Sequence, residues 1–529
     1  MLVGYVSDER YVALPDVLLE FEGPSIVGSV EARSRATGAV YADVPPGTYR
    51  VTLSKAGFGS KRSIVQVAEG LPHHFRLLAD GLMGYAWPKW VRGGESSEFR
   101  VHSVEAYTLG LWRMGATAEF IKNLGWFDEH GPRATMQITP DGDYSRTGVG
   151  WNTQGYTSPA HKQFVAAPER SGLYYFRAQT KSGLDFSFPW IVAPAEPTAD
   201  VAVLASNLTW NAYNSFGGRS NYINPDRLPE TPTVNSRQEL RRYTDPDNIA
   251  YGVDEYAPLS MDRPEAINHI DQGEEPDDPI EGRAACHLAP AEWRLLAWLE
   301  REEFDYDYYA ETQLDSGDLD LDRYRVLIIS THPEYWTRRM FDRVRDWVNT
   351  RGGRLMYLGG NGVNCEVELL DEFTAVYKNG DAREVTSRKL EGRFHLSGDS
   401  EASLLGVVFD ERGIMTGAPY RVVDADHWVF EGTGLDEGDL FGTQSLHMRC
   451  PGGASGHETD KVSPSSPAGV HVIAKGTNPG DGGADMVQFD VEGGGSVFSA
   501  GSIAYPAALL VDEHISAITA NVLGRFLDE

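Results

Sequence analysis

His332-Pro333-Glu334 stands directly after an apolar, β-rich run at residues 326–329. A residue before proline is biased toward extended backbone. In an extended segment residues i and i+2 point the same way. The His332 imidazole and the Glu334 carboxylate should therefore project together from a strand end. Such a pair suits a metal ligand beside a supporting histidine, or an acid–base couple. The plainer alternative is a helix N-terminal turn, with Glu334 facing the positive end of the dipole. A second apolar run, residues 355–358, ends in Gly359-Gly360-Asn361-Gly362. His332, Glu334 and Asn361 read as one rim of a site. A third polar exit, residues 207–214 with Trp210 and Tyr213, follows the apolar Val201–Ala205 and leads into Gly217-Gly218-Arg219-Ser220. It is either a pocket wall or a Trp and Tyr packed under the insertion that follows.

Other chemistries fit less well. Gly359-Gly360-Asn361-Gly362 lacks the spacing of a P-loop or a dinucleotide fingerprint. Cys365 lies where an amidotransferase nucleophile would, but Gly-x-Cys-x-Gly is absent. Its neighbours Glu366 and Glu368 oppose a low-pKa thiolate. No Gly-x-Ser-x-Gly elbow is present.

The elements that must position these groups follow from periodicity. Met340, Phe341, Val344, Trp347 and Val348 share one face of a helix that Gly352 and Gly353 stop. With the two apolar runs they form a β-α-β unit, and ligands bind at the carboxyl ends of such strands in open α/β sheets. Residues 201–205, 304–310 and 497–500 read as further strands, and residues 290–301 and 512–526 as helices. This part, residues 196–529, is expected to be an α/β flavodoxin-like, glutamine-amidotransferase-like domain with long insertions.

The first 195 residues read differently. Residues 1–80 and 81–195 show short alternating strands and suggest two all-β sandwiches. A turn at Pro45-Pro46-Gly47 separates two strand runs, and Tyr49, Val51 and Leu53 share one face of the second. This stretch resembles the carboxypeptidase-regulatory, prealbumin-like module, which implies a structural or interaction role.

Length and composition set the frame. A chain of 529 residues is too long for a single core. Three widely separated cysteines make neither a disulfide framework nor a cysteine zinc cluster. A formal net charge of -30 repels nucleic acid and anionic membranes. No apolar run approaches the ~20 residues needed to cross a bilayer. The first residues lack a basic, then apolar, leader pattern, so a cytoplasmic location is expected.

Five motifs together carry a more specific resemblance. They are Trp210-Asn211-Ala212-Tyr213-Asn214 with Gly217-Gly218-Arg219-Ser220, Leu259-Ser260-Met261-Asp262-Arg263-Pro264, His332-Pro333-Glu334-Tyr335-Trp336, Gly359-Gly360-Asn361-Gly362 and Gly456-His457-Glu458-Thr459-Asp460. In order and spacing, over residues 82–529, they resemble the large subunit of N,N-dimethylformamidase. The resemblance implies a mononuclear Fe(3+) held by two tyrosines and a glutamate, hydrolysing a small N-substituted amide. Carried over by motif, Tyr213 and Glu334 are metal ligands. Tyr256 is the second tyrosine by spacing, with Tyr251 in reserve. His332, Asn361 and Glu458 are the polar and acid–base groups around the metal. Phenolate and carboxylate are hard ligands that suit trivalent iron. The resemblance further implies a homo-oligomer and a small helical partner subunit. Two other readings stand beside it: a non-catalytic carbohydrate- or protein-binding scaffold, and a Cys365 thiol enzyme.

Overall fold

The apolar run after Tyr324 folds as an inner strand of a nine-stranded sheet. The computed structural model describes residues 1–128, 136–151, 163–234, 255–277, 284–378 and 391–528. In the C-terminal part, parallel strands are β1 (Val201–Ala205), β2 (Asp307–Ala310), β3 (Val326–Thr331), β4 (Arg354–Gly359) and β5 (Ser496–Ser499). They lie in the order 2-1-3-4-5, and four antiparallel strands extend the sheet beyond β5. Every residue of β1, β2 and β3 is buried, as expected of parallel strands covered on both faces. Val326 pairs with both Val201 and Arg354, so β1, β3 and β4 end at one level.

Among the described residues, helices of this part include α1 (Asn207–Tyr213), α2 (Ala284–His287), α3 (Ala289–Arg301), α4 (Glu311–Ser316), α5 (Arg338–Arg351) and α6 (Glu513–Asp528). On α5 the buried residues are Met340, Phe341, Val344, Trp347 and Val348, the face that periodicity predicts. The Thr337 hydroxyl accepts the Met340 N–H at 3.1 Å and caps the start. Gly352, with φ of 75°, closes the end.

Among the described residues, the N-terminal 195 are mostly β, with one turn of helix at Tyr144–Thr147. Residues 1–80 form a three-stranded sheet and four strands of a five-stranded one. The middle part pairs a three-stranded sheet with a five-stranded one around Phe99, Phe176, Phe188 and Trp190.

One sequence expectation changes, and two strand pairings are added to the rest. Strand β2 starts at Asp307, not residue 304, because Glu303 turns left-handed and the Phe304 N–H closes α3 on Leu299 O at 2.8 Å. The strands around Pro45-Pro46-Gly47 are not hairpin partners. Ala39–Tyr41 pairs with Leu2–Ser7, whereas Gly47–Lys55 joins the other sheet, so the turn crosses the sandwich. The N-terminal sheet also takes in Met136–Gln137 from the middle part, so these two parts share a sheet. No helix among the described residues is long and apolar enough to cross a membrane.

Candidate active site at the ends of three parallel strands

Strand β3 ends at Thr331, whose φ of 63° turns the chain sharply. His332 and Glu334 then point to one side, with Nε2 and Oε2 2.9 Å apart. The helix-turn alternative does not hold, since α5 begins only at Arg338. The exits of β3 and β4 are zipped together. Val363 N donates to Pro333 O at 2.7 Å, and Asn364 N and Cys365 N both donate to Glu334 O at 3.0 Å. Thr331, Asn361, Val363 and His457 all have positive φ in these loops. Left-handed backbone is costly for a β-branched residue such as Val363, and such strain clusters at functional sites.

Helix α1 brings Tyr213 from the end of β1. Its hydroxyl donates to Glu334 Oε2 at 3.0 Å and lies 3.3 Å from His332 Nε2. Trp210, one turn earlier, is instead packing, with its indole N–H on the buried Glu292 at 2.8 Å. Trp210 thus packs, whereas Tyr213 turns its hydroxyl to the His332–Glu334 pair.

A second tyrosine, absent from the sequence-derived set, meets the same carboxylate. The Tyr222 hydroxyl lies 3.0 and 2.9 Å from the two Glu334 oxygens, 2.9 Å from Tyr213 Oη and 2.7 Å from Tyr335 Oη. Its only sequence signal is its place two residues beyond Gly217-Gly218-Arg219-Ser220. Tyr256 is buried on the segment leading into Leu259–Ser260. Tyr251 lies outside the described residues.

Strand β4 delivers Asn361. Its Nδ2 donates to Glu458 Oε2 at 2.8 Å, and its backbone N–H donates to Asp460 Oδ1 at 2.9 Å. The buried Asn361 Oδ1 has no hydrogen-bond partner among the described residues. Glu458 reaches the strand ends because Gly360 is bare: a Cβ there would lie 2.4 Å from Glu458 O. Glu458 Oε2 is 3.9 Å from His332 Nδ1. Three further histidines line this side: His457 from the Gly456-His457-Glu458-Thr459-Asp460 motif, and His287 and His447, which the sequence does not single out. The His287 ring centroid lies 4.9 Å from Tyr213, 5.6 Å from His332 and 5.3 Å from His457, whose Nδ1 is 3.0 Å from His447 Nε2.

Electrostatics sharpen the picture. Burial opposes charge on His332, but the Glu334 carboxylate overrides it and lifts the imidazole to about 9. Burial, then Glu334, push the Tyr222 phenol well above its ordinary value. The same two causes push the Cys365 thiol well up, the opposite of an activated nucleophile. Among the described residues, no group of three or more His, Cys, Asp or Glu is placed to hold a metal. The donors that converge are two phenols and one carboxylate. That is a hard oxygen set, which fits a hard, highly charged cation able to displace phenol protons.

Asp460 supports the site from behind, taking the Tyr357 hydroxyl at 2.7 Å as well as Asn361 N–H. Burial raises its pKa to about 7 despite those bonds. Because the folded value exceeds the unfolded one, the folded state holds the extra proton between about pH 4 and 7. The stability that this group contributes is full below about pH 4 and is lost as pH rises toward 7. Asp460→Asn should remove that slope. In urea titrations the variant should gain on the wild type between pH 4.5 and 7, and parallel curves would refute the assignment.

The fold and site define a β-rich protein with N-terminal sandwiches, whose C-terminal part gathers acid, imidazole and phenol groups at its parallel strand ends. The family model for N,N-dimethylformamidase beta subunit-like, C-terminal, matches residues 103–517, and the chain belongs to that family. It is 24% identical over 597 residues to the N,N-dimethylformamidase beta subunit of Paracoccus aminophilus, covering 94% of this chain and 74% of that one. It is 25% identical over 475 residues to the Alcaligenes sp. N,N-dimethylformamidase beta subunit, covering 73% of this chain but 59% of that one. Among solved structures, the four N-terminal Ig domains of Dscam1 isoform 6.9 align with 36% of this chain and 43% of that chain, at a TM-score of 0.13 and 8% identity, too slight to bear on the fold.

Proposed function

We propose that this chain hydrolyses the C–N bond of a small N-substituted amide at a mononuclear ferric centre. Tyr213, Glu334 and a second tyrosine would hold the iron. The observation that carries the reading is the meeting of Tyr213 and Tyr222 hydroxyls on the Glu334 carboxylate at the ends of β1 and β3, in a chain of this family. We read the 2-1-3-4-5 sheet as flavodoxin-like, in which the β1/β3 crevice is the switch point where ligands bind. The beta-subunit name of the relatives supports an assembly of several chains. We propose a cytoplasmic homo-oligomer with a small helical partner.

Bound iron would supply Lewis acidity toward the amide carbonyl and an acidified water. The chain's own residues do the rest. Asn361 offers Oδ1 to an N–H of the substrate or of the departing amine, while Glu458 fixes its Nδ2. Glu458 takes a proton from the attacking water and passes it to the amine nitrogen as the C–N bond breaks. His332, held charged beside Glu334, keeps that carboxylate oriented. The products are a carboxylic acid and an amine.

Spacing favours Tyr256 as the second tyrosine and contact favours Tyr222. Their Phe variants separate them. Loss of the true ligand abolishes the tyrosinate-to-iron absorption, and loss of a neighbour only shifts it. Elemental analysis should find about one iron per chain, with cleavage of an N-alkyl formamide or acetamide. A colourless protein that takes up no iron and cleaves no amide would return the reading to a binding scaffold.

A further inference from the structure

Tyr213 and Tyr222 sit on a stretch, residues 213–225, with no strand or helix beyond Tyr213 itself. Backbone without a ladder must find its hydrogen bonds elsewhere. Fully buried guanidiniums supply them here. Arg263 donates to Asn211 O, Asn214 O and Phe216 O at 3.2, 2.9 and 2.7 Å. Arg219 donates to Pro225 O at 3.1 Å and Pro258 O at 2.6 Å, with Asp143 at 2.8 Å. Both lie inside the residues that the family model matches.

The third guanidinium does not. Arg76, 0% exposed, belongs to the N-terminal sandwich. Its Nη2 reaches Gly217 O at 3.1 Å, Asp8 O at 2.8 Å and Tyr144 Oη at 3.1 Å, and its Nη1 reaches Gly142 O at 3.0 Å. One planar fork thus joins the N-terminal sandwich, the middle part and the tyrosine loop. The same sandwich reaches the loop with its backbone. Gly217 N donates to Glu9 O at 2.7 Å, Thr233 N to Tyr11 O at 3.0 Å and Ala13 N to Thr233 O at 2.8 Å. The Tyr11 hydroxyl donates to Pro229 O at 2.8 Å, and Tyr11 itself is held at φ of 64°. Contact is so close that a Cβ on Gly218 would lie 2.4 Å from Tyr11 Cβ. A small apolar cluster seals the junction, with Leu78 from one side, Tyr144 and Trp151 from the middle and Phe216 from the loop.

We infer that the N-terminal β-sandwich is a positioning element of the active site, with Arg76 as its principal positioning residue, clamping residues 214–233 so that Tyr222 stays on Glu334. The inference rests on the proposed location of the active site at Tyr213 and Glu334.

The test is hydrogen exchange by mass spectrometry on the full chain, metal-free, for Arg76→Met and Arg76→Lys, followed by iron loading and amide kinetics. Exchange in residues 214–233 should rise at least about ten-fold in Arg76→Met while β3 and β4 stay protected. Arg76→Lys, which keeps charge but not the fork, should fall between. The tyrosinate band should shift and kcat should fall more than KM rises. Unchanged exchange in the loop overturns the clamp, whatever the protein hydrolyses. A loosened loop with unaltered band and kcat overturns its role in the site. Absence of any amide substrate would refute the proposed function while the exchange result still decides the clamp. If Arg76→Met does not fold, Tyr11→Phe removes one clamp bond at constant volume. About a three-fold rise confined to residues 226–234 then supports the clamp, and no rise overturns it.

Discussion

Glu334→Gln should lose the iron that the proposed function places at this site. Glutamine keeps the size of the side chain and one carbonyl acceptor, so Tyr213 or Tyr222 can still donate to it. What disappears is the anionic oxygen that both phenols and His332 share. Without it the remaining donors are neutral until deprotonated, and burial already resists deprotonation at Tyr222. A trivalent cation then has no fixed anion to offset its lost hydration. Iron affinity should drop at least about 100-fold, beyond the 10- to 100-fold typical of second-layer contacts, and the tyrosinate absorption should vanish with it. In the metal-free variant the His332 imidazole, freed from its carboxylate, should titrate well below the value it has in the parent. NMR of the imidazole would follow that directly. Full iron occupancy in Glu334→Gln would remove Glu334 from the ligand set.

How far the sequence foretells this site depends on how local each cause is. The β-α-β unit is legible because its strands are continuous apolar runs and its helix keeps a 3.6-residue period from Met340 to Val348. The shared direction of His332 and Glu334 is legible too, because proline fixes the local backbone. Asn361 lies at the end of β4 for the same reason of strand ends. Tyr222 is not legible, since the local turn in which Ser220 Oγ takes its N–H at 3.1 Å does not by itself carry the ring to Glu334. Its position comes from Arg263, about forty residues later in sequence, and from Arg76, far earlier. His287 and His447 are hidden likewise. His287 sits on a four-residue helix, and His447 and His457 meet across a loop of irregular backbone. Sheet membership in the first 80 residues is also tertiary. Pro45-Pro46-Gly47 looks like a hairpin turn, yet the strands on either side belong to opposite sheets.

Glu458→Gln should leave the iron bound and stop turnover. The Glu458 Oε2 faces Asn361 Nδ2 at 2.8 Å and His332 Nδ1 at 3.9 Å. Glutamine can still accept from Asn361, so the loop at β4 keeps its shape and Gly360 keeps its close approach. The proposed base, however, is gone. General acid–base catalysis is typically worth about 10²–10⁴-fold, and kcat should fall by that order with KM within about three-fold. Iron content and the tyrosinate band should match the parent, which separates this variant from Glu334→Gln. Activity within about three-fold of the parent would exclude Glu458 as the proton carrier. The imidazoles of His287 and His457, packed ring to ring beside Tyr213 and His332, would then be the groups to replace next.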